Sequence, residues 1–322
     1  MSFMRRVYSF DFTGHKRWWF AISGAIILIG LASLFIRGGG NPLHGLNYGL
    51  EFKEGTRIAV AFVNEPEMAD VRQVVSDAGY GTAQIQGTEN VAGSGLAGYQ
   101  IQTETLTPDQ QSALRQALDE AFGIADKDGT EVFQLELVGA SFGRQVITSS
   151  LEAMAIALVL IVVYVAIRFK WQFAVGAIAA EIHDLLIVVG VYSLTGREVT
   201  TATIAAVLTI LGYSLYDTVI IYDRIRENEP RLSRRPYGEI VNVSLAQTLT
   251  RSMNTTLTTL LPVLCLLFFG GDTLKDFAFA LLIGILSGAY SSIFIASPIT
   301  TLLKEREPQQ RRIKLAAQNE DS

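Results

Sequence analysis

Residues 173–194 read FAVGAIAAEIHDLLIVVGVYSL, and this apolar run decides the class of fold. A helix rises about 1.5 Å per residue, so a run of this length crosses the roughly 30 Å of hydrocarbon in a membrane. The same run contains Glu181, His183 and Asp184, which hydrocarbon does not accommodate on an exposed face. The segment therefore predicts a spanning helix whose polar side faces the inside of a helical bundle.

Five further apolar segments accompany this run. The six predicted spans cover residues 18–36, 146–167, 173–194, 200–222, 245–269 and 276–301. The first span follows basic residues, as in a signal peptide, but it ends in Ile36-Arg37-Gly38-Gly39-Gly40, without a small-residue cleavage site. We interpret it as an uncleaved anchor. The sequence thus predicts a polytopic α-helical membrane protein with six transmembrane helices.

Lysine and arginine predict the orientation, because short cytoplasmic segments carry an excess of these residues. The opposite short loops hold only Arg197 and Lys275, whereas 16 basic residues lie in segments 1–17, 168–172, 223–244 and 302–322. We therefore predict a cytoplasmic N-terminal tail (1–17), a cytoplasmic loop at 223–244 and a cytoplasmic C-terminal tail (302–322). Whether this chain works with a partner that is a separate chain remains open, although a start at Met1 with a basic N-terminal tail favours it.

Residues 37–144, between the first two spans, have the composition of a water-exposed domain, with fifteen acidic and seven basic residues. Their periodicity alternates in the order β-α-β-β-α-β, which is typical of a ferredoxin-like fold. Thr107-Pro108-Asp109-Gln110 is a capping box with proline at the first helical position. We predict a ferredoxin-like α+β extracytoplasmic domain that serves as a binding or mechanical module.

Several function classes lack their usual sequence patterns. The chain has one cysteine, so an intrachain disulfide and a Cys-rich metal site are excluded. It contains no P-loop, no dinucleotide-binding glycine pattern and no nucleophile triad. A net charge of −5 does not favour nucleic acid as a partner. We expect no enzymatic activity, no cofactor, no metal and no nucleic-acid binding.

The fourth and fifth spans also carry polar residues. Asp217 lies within the fourth span, and one face of the fifth is polar because residues recur there at helical spacing: Gln247, Arg251, Asn254 and Thr258. An ion pair between Asp217 and Arg251 would satisfy both charges. From these positions two roles remain open for such a pair: a static contact that fixes helix packing, or a titratable switch that couples ion flux to motion.

Longer motifs resemble the SecF family of protein-export membrane subunits, and the resemblance runs through most of the chain. The motifs are His183-Asp184, VGASFGR at 138–144, DTVIIYDRIREN at 217–228 and QTLTRSMNTTLTT at 247–259. The resemblance implies one half of an RND-type transporter, in which SecD and SecF each supply six helices. It also implies that proton flux through the twelve-helix bundle drives movements of the extracytoplasmic domains during preprotein export.

The resemblance also implies site residues. Asp217 and Arg251 match the family's intramembrane aspartate and arginine, so it assigns proton coupling to this pair. The supporting polar residues within the membrane are His183, Asp184, Gln247 and Asn254. Two positions depart from the family pattern: Tyr216 replaces an asparagine before the aspartate, and Glu54 replaces a glycine after the first span.

The implied partners are a SecD-like subunit, the SecYEG translocon, the translocating preprotein and membrane lipid, in the bacterial cytoplasmic (inner) membrane. Two other functions remain open. The chain could be a non-conducting subunit that assembles or stabilises the translocon while its partner carries the ions. It could also be an RND exporter of small solutes, although residues 37–144 form a small domain for a deep substrate pocket. The coupling ion, H⁺ or Na⁺, also remains open.

Overall fold

The computed structural model describes residues 10–49, 52, 55–270, 272–308, 310, 312 and 313, so Glu54 lies outside the described residues. The helices are α1 (Lys16–Arg37), α2 (Met68–Val75), α3 (Pro108–Phe122), α4 (Ala140–Arg168), α5 (Trp171–Thr195), α6 (Thr201–Arg231), α7 (Tyr237–Phe269), α8 (Asp272–Ser291) and α9 (Ser297–Lys304). The strands are β1 (Asn47–Tyr48), β2 (Gly55–Val60), β3 (Gln84–Thr88), β4 (Gly98–Thr103), β5 (Asp126–Lys127), β6 (Thr130–Glu131), β7 (Phe133–Val138) and β8 (Glu198–Val199).

The chain divides into two compact units. A membrane unit comprises Met1–Asn47, Glu152–Gly270 and Leu274–Ser322, and an α+β unit comprises mainly Tyr48–Leu151. Within the described residues, six helical segments are long and apolar enough to cross a membrane, which confirms the predicted class. They are α1, the part of α4 from Gln145, α5, α6, α7 and the segment Leu274–Lys304.

Two of these helices continue well beyond their apolar runs. The fourth predicted span ends at residue 222, whereas α6 continues to Arg231. The fifth begins at residue 245, whereas α7 begins at Tyr237. Backbone hydrogen bonding continues in water, so an apolar run marks only the part of a helix that lies in hydrocarbon. Much of the predicted loop at 223–244 is therefore helical.

The sixth predicted span, 276–301, is not one regular helix. A π-helical turn, Ser292–Ala296, separates α8 from α9. Pro298 occupies the first turn of α9 and has no N–H to continue the α-helical hydrogen bonds of the preceding turn. The Ser297 hydroxyl instead donates to the carbonyl oxygen of Ser292 at 2.9 Å.

Helix burial separates the centre of the membrane unit from its edge. The apolar windows of α5 and of Leu274–Lys304 are 50% and 61% buried, whereas those of α4 and α7 are each 11% buried. Helices α1 and α5 approach closely because glycines meet: a Cβ atom on Gly30 would lie 2.7 Å from the Cα of Gly190. The third predicted span, α5, is thus an inner helix, as its ionisable residues require.

The α+β unit contains a four-stranded antiparallel sheet with strand order β3-β4-β2-β7. Ile58 on β2 pairs with Ile101 on β4 and with Leu135 on β7. With α2 and α3 between the strands, this is the order of a ferredoxin-like fold, as predicted. The capping box is also present: Gln110 N–H donates to the Thr107 hydroxyl, and Thr107 N–H donates to the Gln110 side chain.

Helices α2 and α3 and the sheet share one apolar core. Its fully buried members include Ile58, Val60, Val71, Ile101, Leu114 and Leu118. A short hairpin formed by β5 and β6, which the periodicity does not predict, precedes β7. The unit therefore contains a complete core of its own.

Candidate functional site

Asp184, in the middle of α5, is fully buried and accepts hydrogen bonds from three serines. The hydroxyls of Ser214 on α6 and Ser291 on α8 each lie 2.8 Å from Oδ2, and Ser287 lies 2.5 Å from Oδ1. The Nδ1 atom of His183 lies 3.1 Å from Oδ1. Three helices thus converge on one carboxylate.

Glu181 and His183 flank this carboxylate and are also buried, with exposed fractions of 1% and 7%. Neither Oε2 of Glu181 nor Nε2 of His183 has a hydrogen-bond partner among the described residues. The His183 ring stacks on Tyr290 of α8 with 5.9 Å between ring centroids. The predicted cluster of Glu181, His183 and Asp184 therefore faces the bundle interior, and two of its members have unsatisfied polar atoms there.

Asp217 lies on α6 and is 5% exposed. Its Oδ1 accepts a hydrogen bond of 2.7 Å from the Ser252 hydroxyl of α7, while Oδ2 has no partner among the described residues. Tyr216, the departure from the family pattern, is 55% exposed. The site thus holds a buried carboxylate with one oxygen free.

Arg251 does not pair with Asp217, which corrects the expectation of an ion pair within the chain. The Arg251 side chain is exposed on α7, and the neighbouring Ser252 faces α6 instead. Successive residues on a helix point about 100° apart, so when Ser252 faces α6 the adjacent residue turns away. The structure therefore places this guanidinium on the outer surface of the chain.

The other members of the polar face of α7 are exposed as well. Asn254 and Thr258 lie beside Arg251 on the surface. Gln247 is exposed too, but its Oε1 accepts hydrogen bonds from Arg224 at 2.6 Å and from Asn228 at 2.8 Å. The stripe therefore faces out of the bundle over most of its length, although the helix is apolar enough to span a membrane.

A row of hydroxyl contacts continues from the Asp184 cluster between α6 and the last helical segment. Thr218 and Ser292 are 2.7 Å apart, and Tyr222 and Thr300 are 3.1 Å apart. At its end Lys304, 1% exposed, lies 3.5 Å from a carboxylate oxygen of Glu229. Sequence reasoning missed these residues and also the serine donors of Asp184. One signal could have indicated two of the donors, because Ser287 and Ser291 share a face at i, i+4 spacing.

Among the described residues, no group of three His, Cys, Asp or Glu side chains is arranged to hold a metal ion. The carboxyl, imidazole and hydroxyl groups of the site are able to form hydrogen bonds and to exchange protons. Buried carboxylates inside a spanning bundle are characteristic of ion pathways and proton relays. Fold and site together define a polytopic membrane protein with ionisable groups in its interior and one ferredoxin-like unit.

Comparison with known proteins specifies the family. The family described as "Protein export membrane protein SecD/SecF, C-terminal" matches residues 119–306. "Protein translocase subunit SecF" of Mycobacterium tuberculosis is 39% identical over 95% of this chain and 70% of its own length, and that of Rhodothermus marinus is 35% identical over 96% and 97%. The chain belongs to the SecD/SecF family of protein-export membrane proteins.

Solved structures agree with this assignment. A crystal structure of SecDF from Thermus thermophilus, described as a translocon-associated membrane protein, superposes with a TM-score of 0.77 at 35% identity over 92% of this chain. A second SecDF structure, in a "super-membrane-facing form", has a TM-score of 0.66 at 34% identity over 95% of the chain. The chain spans about two fifths of the length of these SecDF chains.

Proposed function

We propose that this chain is the SecF-like subunit of an accessory complex of the Sec translocase, and that the complex uses proton flux to assist preprotein export. The family assignment and the relatives named protein translocase subunit SecF support the role in export. The excess of basic residues at 1–17, 168–172, 223–244 and 302–322 supports cytoplasmic termini. The chain itself acts as a transporter subunit and not as an enzyme.

The observation that carries the proton-coupling part of the proposal is that Asp217 is buried with one hydrogen-bond donor among the described residues. A charge in the middle of a bilayer costs at least about 2.5–3.5 kcal/mol, and a single donor, Ser252, offsets only part of that cost. The free Oδ2 is an acceptor for a proton or for a donor from a partner. Protonation therefore changes which arrangement of α6 and α7 is stable, and this is the step that links a proton to a movement.

The polar stripe of α7, defined by Gln247, Arg251, Asn254 and Thr258, supports a second helical bundle as partner. The guanidinium of Arg251 is exposed on a spanning helix, where contact with lipid has a high free-energy cost. It therefore requires polar groups from another protein chain. In the SecDF relative, one longer chain contains the matching region together with further segments. We assign a SecD-like subunit to this face, so that its polar groups meet Arg251 at the contact between the two halves.

We assign the action on the preprotein to the α+β unit. Each proton that crosses a potential of 100 mV releases about 2.3 kcal/mol, which supplies movement without nucleotide hydrolysis. In this proposal the unit lies outside the cytoplasm beside the SecYEG translocon and moves with the bundle. Its separate core allows it to move as one body.

The test is the substitution Asp217→Asn in a complex reconstituted with its SecD-like partner and the translocon in liposomes. We expect the variant to assemble normally and to lose the increase in preprotein release that an imposed proton gradient produces. Asp223→Asn is the matched control, since Asp223 lies on the same helix, has a side chain that is 45% exposed and pairs with Arg168 at 3.0 Å. The control should retain the full effect of the gradient.

Two outcomes would contradict the proposal. Gradient-dependent release at the wild-type level in Asp217→Asn would remove this residue from coupling. A loss of export that follows only a loss of assembled complex would favour the non-conducting assembly subunit. Replacing the proton gradient with a sodium gradient in the same liposomes identifies the coupling ion.

A further inference from the structure

The Glu181–Asp184 pair holds two buried carboxyl groups three residues apart on one face of α5. Among the described residues neither group forms an ion pair with lysine or arginine. At this spacing the two side chains are neighbours on the surface of the helix. Burying two adjacent charges of the same sign is costly, and such pairs hold a proton between them. The hydrogen-bond pattern shows which member holds it.

Asp184 has the surroundings of an ionised carboxylate. A carboxylate offers about four acceptor positions, two on each oxygen. Ser214 and Ser291 occupy those of Oδ2, while Ser287 and the Nδ1 atom of His183 occupy those of Oδ1. A proton on Asp184 would have to displace one of these donors.

Glu181 has the opposite surroundings. Its Oε2 receives no hydrogen bond from a described residue, although the side chain is 1% exposed. An ionised Glu181 would therefore place charge on a buried oxygen with no donor, a cost that a neutral carboxylic acid avoids.

We propose that Glu181 is a neutral carboxylic acid and that Glu181 and Asp184 form a second proton-holding site within the membrane, separate from Asp217. Glu181 holds the proton, and Asp184 is the carboxylate that the serines and His183 stabilise.

The other titratable groups around the pair are few. On α5 there is His183, on α8 Tyr290, and on α6 Asp217 lies one turn beyond Ser214; α1 contributes the uncharged Ser23, which donates to Tyr290 at 3.1 Å. His183 is the competing holder of a proton. Its Nε2 is buried and has no hydrogen-bond partner among the described residues, so a proton placed there would have no acceptor.

Whether Glu181 holds a proton does not depend on the proposed function, but the use of that proton in transport rests on the proposed function. A structural measurement therefore tests the site separately from export. The complex with its SecD-like partner is reconstituted in lipid, and infrared difference spectra are recorded at neutral pH for the C=O stretch of a protonated carboxylic acid. We expect this band in the wild type, shifted in D₂O and lost in Glu181→Gln. It should persist in Asp217→Asn.

Two further variants make the result specific. Glu152→Gln removes an exposed glutamate of α4 and should leave the band unchanged. If Glu181→Gln fails to fold, Glu181→Asp keeps an acid at this position and should move the band to another frequency. A band unaffected by both Glu181 substitutions would overturn the proposal.

Discussion

Asp184 and Asp217 are both buried carboxylates of the membrane unit, but they have different numbers of donors. Asp184 is held by three serines and His183, and so its position is determined from three helices. Among the residues that the structure describes, Asp217 has one donor, Ser252, and its Oδ2 has no hydrogen-bond partner. Environment and not residue type therefore separates a carboxylate that fixes packing from one that is able to change partner or protonation.

At this scale we predict that Ser252→Ala weakens the contact between α6 and α7. A hydrogen bond to a charged group contributes about 1.5–3 kcal/mol, so the free energy of unfolding should fall by an amount of this order if Asp217 is ionised. The measurement is a double-mutant cycle of Ser252→Ala and Asp217→Asn, in which the free energy of unfolding of each variant is determined in lipid nanodiscs.

Thr255→Ala is the matched control for this cycle. Its hydroxyl lies on the same helix but donates only to backbone carbonyls of Arg251 and Ser252. It should show no coupling with Asp217→Asn. A coupling energy near zero for Ser252→Ala would mean that the bond to Asp217 contributes nothing to stability.

At the scale of elements, small residues determine how closely the helices pack. Gly30 and Gly190 bring the backbones of α1 and α5 into contact, and a Cβ atom on Gly288 of α8 would lie 3.0 Å from the Cβ of Ser214. Without strong hydrophobic driving force between helices in lipid, such close contacts supply much of the association energy. The second contact also places Ser214 against α8, and so helps to position the donors of Asp184.

We predict opposite effects of alanine at two glycines of α1. Gly30→Ala should lower the free energy of unfolding by about 1–3 kcal/mol, because the new methyl group meets the backbone of α5. Gly24→Ala should be neutral or stabilising by up to about 1 kcal/mol, since no atom lies within 4 Å of its added Cβ and alanine favours the helix. Thermal unfolding of both variants in one lipid preparation makes the comparison, and equal shifts would refute the close contact.

At the scale of the whole molecule, the membrane unit and the α+β unit differ in how completely they bury their own residues. Helix α7 is 11% buried over its apolar window and carries the polar stripe on its exposed side. The α+β unit, in contrast, has a closed core of its own. The exposed polar stripe of the membrane unit is the feature on which we base the proposed second bundle, and the relative named SecDF is a longer chain in which the matching region is accompanied by further segments.

We predict that cysteine labelling maps this partner surface. In a Cys265→Ser background, which removes an exposed thiol, Asn254→Cys should react with a membrane-permeant thiol reagent in the isolated chain. In the complex with a SecD-like subunit the reaction should slow at least several-fold. Val159→Cys, on the exposed apolar side of α4, should react equally in both preparations. Equal labelling of Asn254→Cys with and without the partner would place the interface elsewhere.

Local patterns were sufficient for much of the architecture. The six spans follow from the length of apolar runs, because the bilayer has one thickness. The strand and helix order of the α+β unit follows from periodicity, and Thr107 and Gln110 mark the start of α3 because capping involves neighbours in sequence. The presence of polar groups inside the bundle was equally predictable, since Glu181, His183 and Asp184 have a high cost in lipid.

Tertiary structure alone decided which polar groups meet. Whether Ser252 or Arg251 faces Asp217 depends on the rotation of α7 about its axis, and the whole packed bundle sets that rotation. The donors of Asp184 lie 30 to 107 positions away in sequence for the three serines, so no local pattern connects them. The sequence of each helix determines which polar side chains have to be kept away from lipid. The packing of the whole bundle involves residues far apart in sequence, and it determines which groups those side chains contact.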